Sequence, residues 1–468
     1  MLSRQDRWQD DLFVAGPLRE LIPDDHPLRR IDNVLDLSWL RDEVKDCYCL
    51  DNGRPGIDPE AAVRLMLAGL LEGIVHDRKL MRQAQVNLAI RWFAGYRLND
   101  KLPNHSSLSV IRKRWGVERF ARIFVRTVTQ CVDAGLVKGD LVHMDATLIR
   151  ADVSWESLVL KHVQDVLDAD ADGSDPSKPP KSKPKKYSPT DPDATMTTSN
   201  NQQRMEPCFK QHTSVDDEAG VVVDVAVTTG EASEGRQLMD QIARVEANTG
   251  QPVQTVTADA GYAHAANYEA LSQREITAVI PPQRAATGKR IPSSRFRYDA
   301  KRDVVRCPRG RTLHRSSQVK NGWMYRARTK ACRACPLRSR CISGTSTART
   351  VLIVNGYVAL LRARRTHARG DPEWQRLYNR HRGLVEGRHG EAKTQHRLGR
   401  AARRGLWNVA IQAYLTAAVM NLKRLAAHAA LLWPILWPGP REVASEAPLC
   451  AHQFVPDARR AAGRRRAA

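Results

Sequence analysis

The chain has 468 residues, a length that predicts two or three domains. Lys and Arg number 74 against 51 Asp and Glu, which gives a formal net charge of +23 and an isoelectric point near 10.0. Such an excess predicts a polyanionic partner, because neutralising phosphates releases their condensed counterions; the alternative is a soluble protein with an ordinary charged surface.

Two classes of protein are disfavoured by the same sequence, namely secreted proteins and membrane-spanning ones. Residues 1–12 are charged and polar, so we expect no secretory signal. The longest apolar run, residues 409–422, is interrupted by Gln412 and Asn421 and is shorter than the stretch of about 20 residues that crosses a bilayer. Nine cysteines, an odd number at irregular spacings, predict reduced thiols and a cytoplasmic location.

Helical patterns dominate the first part of the chain. Asp58-Pro59-Glu60 predicts a helix start, with proline in the first turn, that leads into the apolar run 61–71. Residues 104–115 and 117–136 have two more helical patterns. The first of these carries the basic residues Arg112, Lys113 and Arg114. We interpret these side chains as contacts to DNA; a solvated basic face is the alternative.

The pattern changes after residue 136. Residues 140–149 predict a strand, and residues 165–207, rich in Asp, Lys and Pro, predict a flexible linker. Strand and helix patterns then alternate: strands 209–215 and 221–228, helix 235–247, strand 254–258, helix 263–273 and strand 276–280. A hairpin followed by strand–helix alternation predicts an α/β fold with a mixed sheet.

Two aspartates lie on these predicted strands. Asp145 is in the middle of an apolar strand, where a carboxylate is costly unless something positive meets it. Asp259 follows the strand 254–258 and precedes Gly261, which allows a sharp turn. Ligands collect at the carboxyl ends of strands in α/β sheets. Taken alone, each residue also fits an ordinary aspartate at a strand edge or turn.

A third acid lies on a predicted long helix near the end of the chain. Asp371-Pro372-Glu373 predicts the start of this helix and Gly399 its end. Arg382, Glu386 and Lys393 are spaced four and seven residues apart, so they fall within an arc of about 40° on one face. This face predicts a functional site; a surface ladder of ion pairs is the alternative.

Three carboxylates supplied by two strands and a helix suit phosphodiester chemistry. Cleavage and strand transfer need an activated attacking oxygen and a stabilised leaving oxygen, and two divalent ions about 3.5–4 Å apart provide both. Carboxylates are the hard ligands that Mg²⁺ and Mn²⁺ prefer. We therefore expect Asp145, Asp259 and Glu386 to hold catalytic magnesium or manganese, and Arg382 and Lys393 to contact DNA phosphates.

These segments resemble those of the DDE transposases of bacterial insertion sequences, in the group with a Tyr-Arg-Glu-Lys signature on the last catalytic helix. Arg382-x3-Glu386-x6-Lys393 matches the signature in spacing. The family's Tyr-x2-Arg is Tyr378-x3-Arg382 here, with His381 at the expected arginine position. The two segments around Asp145 and Asp259, Met-Asp-Ala-Thr and Ala-Asp-Ala-Gly-Tyr, are similar to those around the family's aspartates.

The resemblance implies a ribonuclease H-like catalytic domain that cuts double-stranded DNA at element ends and transfers the cut strand to target DNA. The expected domains are a helical DNA-end-binding domain (1–136), the first part of the catalytic domain (137–283), a basic cysteine-containing insertion (284–360), the catalytic helix with C-terminal helices (361–437) and a basic disordered tail (438–468). We expect a homodimer or larger assembly on DNA, in the cytoplasm of a bacterium and associated with its nucleoid. The alternatives are a stand-alone nuclease on the same fold and a transposase-derived protein that only binds DNA.

Four cysteines are grouped in the basic insertion. Cys307 precedes the pair Cys332-x2-Cys335, and Cys341 follows five residues later. Four thiolates, two of them in a C-x2-C pair, suit a tetrahedral structural zinc. The insertion has few large apolar residues, so we expect a metal to offset its small hydrophobic core. Reduced, unliganded cysteines are the alternative.

Overall fold

The computed structural model describes residues 16–49, 56–160, 186–198, 205–283 and 290–436. The predicted tail at 438–468 and most of the predicted linker lie outside the described residues. Among the helices of the described part, none has the length and apolarity of a membrane span. None of the eight described cysteines is in a disulfide bond.

Helices form the N-terminal part of the fold. In the described residues before position 136 these are α1 (Pro27–Asp32), α2 (Leu40–Val44), α3 (Pro59–Leu71), α4 (Asp77–Val86), α5 (Leu88–Phe93) and α6 (His105–Asp133). The predicted start of α3 is confirmed, because Asp58 accepts hydrogen bonds from the backbone N–H groups of the first turn. Helix α6 contains both predicted patterns, separated by a break at Gly116 with φ 74°. The apolar faces of these helices share one hydrophobic core.

A mixed sheet forms the centre of the molecule. The strands described up to residue 283 are β1 (Leu141–Arg150), β2 (Val159–Leu160), β3 (Lys186–Tyr187), β4 (Thr195–Thr197), β5 (Glu206–Asp216), β6 (Val222–Thr229), β7 (Thr255–Ala258) and β8 (Thr277–Val279). The central strand β1 is antiparallel to β5 and parallel to β7, and β5 also pairs with β6. Strand β8 extends the parallel edge beside β7. This mixed α/β sheet is consistent with the expected ribonuclease H-like fold.

The predicted order of strands and helices is confirmed for this part of the chain. Helices α7 (Leu238–Thr249) and α8 (Ala265–Gln273) alternate with the strands as expected. The predicted linker 165–207 is wrong at its C-terminal end. There β3 and β4 are regular, and β5 already begins at Glu206. The reason is tertiary, because Thr195–Thr197 pair with β5 and local composition does not show that pairing.

The insertion folds around a second sheet. Its elements are β9 (Arg297–Asp299), β10 (Val304–Arg306), β11 (Thr312–Val319), β12 (Gly322–Ala327), α9 (Thr329–Arg333), α10 (Arg338–Cys341) and β13 (Thr350–Val354). The strands are antiparallel and neighbours follow chain order. Phe296, Val305, Leu313 and Tyr325 are buried together in a core of their own. The expectation of an insertion with little hydrophobic core is therefore wrong, because each short strand contributes an inward apolar residue.

Three helices complete the described chain, namely α11 (Tyr357–Arg369), α12 (Pro372–Thr394) and α13 (Leu406–Leu436). Helix α12 starts where predicted, with Asp371 accepting from the backbone N–H of Glu373. It ends at Thr394, short of the predicted Gly399, because the chain turns through Arg397 at φ 58°. Helix α13 buries Val409 in the core of the sheet and Ile411 in the helical core. It therefore joins the two parts of the molecule.

Candidate active site

Asp145 and Asp259 lie side by side on neighbouring parallel strands. In the register of β1 and β7, Met144 is opposite Ala258, so Asp145 and Asp259 are the residues that follow this pair, Asp145 within β1 and Asp259 directly after β7. Neighbouring strands are separated by about 4.8 Å. The structure therefore brings together the two aspartates that the sequence predicted, at the carboxyl end of β7.

Glu386 reaches this point from helix α12, which lies across β1, β5 and β7. Burial raises the pKa of Asp145 to about 7; the backbone N–H of Ala146 opposes this, and the charges of Asp259, Glu234 and Glu386 raise it further. All three predicted carboxylates thus share one electrostatic environment. The side chain of Glu386 is 65% exposed, with Oε1 3.5 Å from Arg382 Nε.

Glu234 is a fourth acid at this site, which sequence reasoning missed. It lies between β6 and α7, and its Oε1 is 3.0 Å from the Nζ of Lys210. Burial raises the pKa of Asp259, and the charge of Glu234 is the next cause of that rise. A Cβ built on Gly261 would be 2.5 Å from Glu234 Oε2, so glycine at this position leaves room for the carboxylate where it lies. Nothing in the sequence around Glu234 indicates this contact, because Glu234 is separated from Asp259 along the chain and no motif surrounds it.

Tyr262 is completely buried beneath the acids. Burial raises its pKa well above the usual value, and Asp145, Glu234 and Asp259 add to this effect. Among the described residues its hydroxyl has no hydrogen-bond partner. A buried polar group without a partner is costly and marks a place where water or an ion completes the structure.

Two buried histidines of α12 contact the strands behind the acids. His389 Nδ1 is 3.6 Å from Asp145 Oδ2, and His389 Nε2 is 3.2 Å from Thr213 Oγ1. His381 Nδ1 is 2.9 Å from Thr257 Oγ1, the residue two before Asp259. His381, at the signature's arginine position, therefore faces the sheet core rather than solvent.

The two basic residues predicted on α12 lie in different environments. Arg382 is 66% exposed beside Glu386. Lys393 is half-buried; burial lowers its pKa, and the charge of Asp145 opposes that change. Tyr378 stacks on His381 with ring centroids 5.9 Å apart. Burial raises the pKa of Tyr378, and the charge of Asp259 adds to this rise, so the tyrosine belongs to the same site.

The prediction that Arg112 contacts DNA is corrected by its burial. Arg112 is 3% exposed and forms an ion pair with Asp77. Burial lowers its pKa to about 10, the charge of Arg403 adds to this, and Asp77 opposes it. Its guanidinium therefore joins α6 to α4 inside the protein. The neighbouring Lys113 and Arg114 are exposed, so DNA contact by these two residues stays a prediction.

The chemistry of the donor set fits a hard divalent cation. Four carboxylates share the site, and the positive charge of an ion would favour the ionised form of Asp145 that burial disfavours. In the described part of the chain, however, no three His, Cys, Asp or Glu side chains converge as metal ligands do. The exposed Glu386 is the acid with the most freedom to move towards the two aspartates.

The four cysteines of the insertion lie in the same part of the fold, beside the second sheet. Cys307, Cys332 and Cys341 pack against the core of the second sheet. Burial raises the pKa of Cys341, Arg349 opposes this, and the other three cysteines raise it further. The four thiols are thus near enough to act on one another, but among the described residues they do not converge as metal ligands do, so a zinc site here stays a prediction.

Two protein-family models match the chain. Residues 17–114 match a transposase domain, DUF772, and residues 306–426 match a transposase DDE domain that includes α12 and Glu386. Comparison with curated proteins gives no match.

Solved structures give weaker likenesses. A piggyBac transposase synaptic complex with hairpin DNA is 12% identical, with a TM-score of 0.34, over 86% of this chain and 74% of that one. A Mos1 transposase paired-end complex is 11% identical, with a TM-score of 0.17, over 52% of this chain and 65% of that one. At these TM-scores the assignment depends on the family matches alone. Because it carries both transposase domains, the chain is a DDE-type DNA transposase.

Proposed function

We propose that this transposase belongs to the group with the Tyr-Arg-Glu-Lys signature and moves an insertion sequence. It would cut DNA at the element ends and join the freed 3′-hydroxyl to target DNA. The observation that carries the proposal is the register of β1 and β7, which sets Asp145 beside Asp259. Glu386 completes the set from the helix that crosses both strands.

Mg²⁺ or Mn²⁺ is the cofactor that this donor set favours. When bound, it would activate the attacking oxygen and stabilise the leaving one. Asp145 and Asp259 would hold it on the rigid sheet and Glu386 would close the site from α12. Glu234 would supply a fourth carboxylate, and Lys210, 3.0 Å from it, would orient that carboxylate.

The remaining residues of the site would bind and orient DNA. Arg382 stands exposed at the mouth of the site, where a guanidinium can grip a phosphate with two hydrogen bonds. Lys393 lies deeper, close enough to Asp145 for the aspartate's charge to act on its pKa. Its ammonium would neutralise a phosphate beside the reacting one. Exposed Lys113 and Arg114 on α6 would contact the DNA of the element end.

The proposal extends to the assembly and to the cysteines. We infer a homodimer or larger complex on double-stranded DNA, formed in the bacterial cytoplasm at the nucleoid. Cys307, Cys332, Cys335 and Cys341 would hold a structural zinc once their side chains turn towards one another; the support is that the other three thiols act on the pKa of Cys341.

The test is a cleavage and joining assay on plasmid DNA that carries the inverted repeats flanking the gene. We expect metal-dependent cutting followed by joining, and loss of both in Asp145→Asn, Asp259→Asn and Glu386→Gln while DNA binding survives. Loss of even an outer partner of a metal ligand costs about 10–100-fold, so the loss here should be larger. Asp240→Asn, an exposed acid on α7, is the matched control and should keep full activity.

The same assay separates the rival functions. Cutting at any sequence without joining would indicate a stand-alone nuclease. Specific binding without cutting, in the presence of Mg²⁺ and Mn²⁺, would indicate a DNA-binding regulator. Robust cutting by one of the three variants would remove that residue from the metal site.

A further inference from the structure

A groove with a volume of about 1130 Å³ opens next to the active site. Its walls come from the turn after α3, from the end of β1, and from the chain that follows α12. Lys393 lies in its lining and is at the same time close to Asp145. Lys393 therefore connects the groove to the candidate active site.

Positive charge dominates this groove. Among the described lining residues, two carboxylates, Asp152 and Glu206, stand against five basic side chains: Lys79, Arg150, Lys393, Arg397 and Arg400. Arg150 pairs with Glu206 at 2.8 Å, and Arg400 pairs with Asp152 at 3.1 Å. The excess charge therefore comes from the other three basic residues. Two of them, Lys79 and Arg397, are exposed.

Backbone contacts fix the groove in the fold. The N–H of Arg150 donates to Gly399 O at 3.1 Å, and the N–H of Ala401 donates to Arg150 O at 2.8 Å. His396 is buried, with Nδ1 2.9 Å from the carbonyl oxygen of Leu70. Arg397 follows with φ 58°, a conformation that non-glycine residues rarely adopt. These contacts hold Arg397 in the wall without a helix or strand around it.

The chemistry of the lining indicates what the groove can bind. Proteins that hold bases of a single strand stack them on aromatic rings. Apart from His76, no aromatic ring is among the described residues that line the groove. Basic groups without stacking platforms bind phosphates, which fix position but carry no sequence information. A pocket of about 300–1,000 Å³ holds one drug-sized molecule, so this groove has room for a short run of one strand.

We propose that the groove binds the sugar–phosphate backbone of a single DNA strand that continues from the scissile phosphate, without reading its bases. Lys79 and Arg397 are its main phosphate contacts. The inference rests on the proposed function, because that function places the scissile phosphate beside Asp145.

The test measures binding of a fluorescein-labelled oligothymidylate of about 16 nucleotides by fluorescence anisotropy over a range of salt concentrations. The full chain with Asp259→Asn is used throughout, so the result does not depend on cleavage. Adding Lys79→Ala and Arg397→Ala should weaken binding. Each lost phosphate contact shallows the slope of log K against log salt by about 0.7 for a single strand, so the pair should shallow it by about 1.4.

The matched control is Lys301→Ala with Arg302→Ala, which removes the same charge from an exposed turn of the insertion. It should leave the slope unchanged. Asp152→Asn works in the opposite direction, because it raises the charge of the groove, and it should tighten binding. A misfolded protein would lose affinity for the oligonucleotide, so tighter binding by this variant cannot be caused by misfolding. An unchanged slope in the Lys79 and Arg397 pair, an equal fall in the control pair, or an effect only on duplex DNA of the same length would each overturn the proposal.

Discussion

His389 Nδ1 lies 3.6 Å from Asp145 Oδ2, and its other ring nitrogen lies 3.2 Å from Thr213 Oγ1. Thr213 is the residue opposite Asp145 in the register of β1 and β5. One side chain of α12 thus contacts both strands at the level of the first aspartate. Burial lowers the pKa of His389 to about 3, and the charges of Lys393 and His381 add to this. The ring is therefore neutral near pH 7.

We predict that His389 positions Asp145 rather than taking part in the chemistry. His389→Ala should slow cleavage by about 10–100-fold, the usual cost of losing an outer partner of a metal ligand. It should also raise the Mn²⁺ concentration that gives half-maximal rate. His389→Gln can still reach Thr213, so it should recover part of the cleavage rate and part of the affinity for Mn²⁺. His314→Ala, on the exposed side of the insertion, is the control. A slower rate with an unchanged metal requirement would mean that His389 only stabilises the fold.

Arg382 and Lys393 should both contribute to DNA affinity and little to metal affinity. For duplex DNA, each phosphate contact contributes about 0.9 to the slope of log K against log salt. Arg382→Ala and Lys393→Ala should each shallow the slope by about that amount. Lys393→Ala should slow cleavage more, because the charge of Asp145 acts on Lys393, whereas Arg382 is exposed beside Glu386.

Arg376→Ala is the matched control for these two variants. Arg376 is an exposed residue of the same helix, with NH2 3.7 Å from Glu373 Oε1. Its loss should leave the slope as it is. If Arg382→Ala and Lys393→Ala also leave the slope unchanged, both residues serve in structural ion pairs.

The strands and the helix that carry the three candidate acids were predictable because their signals are local. Asp145 is embedded in an apolar strand, Asp259 follows one, and the start of α12 has its own capping residue in Asp371. The positive charge of Arg112 did not show whether the residue is exposed or buried. Leu108, four residues earlier, and Trp115, three residues later, lie on the same buried face of α6. That apolar face was the signal that the prediction of DNA contact overlooked.

Other features depend on contacts between distant parts of the chain. Glu234 meets Asp259 only because the sheet brings the two loops together. Directly after α12, His396 has a buried contact with Leu70, more than three hundred residues earlier in the chain. No pattern within a window of a few residues contains either contact, so the sequence predicted the acids of the site better than their surroundings.

We predict about one zinc per chain, the number that a four-cysteine site holds. Replacing Cys332 and Cys335 together by Ser should remove the metal, loosen α9 and α10, and reduce cleavage. The core around Tyr325 should keep the second sheet folded, since none of its fully buried residues lies in these two helices. Elemental analysis and hydrogen exchange measure the two effects, and Cys49→Ser, an exposed cysteine elsewhere, is the control. If protein purified without chelator lacks zinc but has full activity, these cysteines do not bind a metal and the alternative of reduced, unliganded cysteines is correct.

Glu391 fixes the C-terminal part of the catalytic helix onto α13. Its oxygens lie 2.6 Å from Lys423 Nζ and 2.8 Å from Arg424 NH2, and its side chain is 14% exposed. Burial alone would raise the pKa of Glu391. The nearby His396 ring, 3.8 Å away, the hydrogen bond from Lys423 and the neighbouring positive charges outweigh that effect, so the pKa is lowered below its usual value of 4.5.

Glu391→Gln should therefore destabilise the protein by about 3 kcal/mol, because breaking a mostly buried ion pair leaves its cations without a partner. The lowered pKa also fixes the sign of the pH dependence. The ionised form contributes stability fully above the unfolded pKa of about 4.3, and this contribution is lost as the pH falls through the lower folded value. Urea unfolding at pH 7 and again below pH 4 should thus show a difference in the free energy of unfolding between wild type and Glu391→Gln that is smaller in acid.

The control is Glu373→Gln, which changes an exposed acid of the same helix and should cost less than about 1 kcal/mol at either pH. An equal difference at both pH values would show that the carboxylate's charge is not what holds α12 to α13.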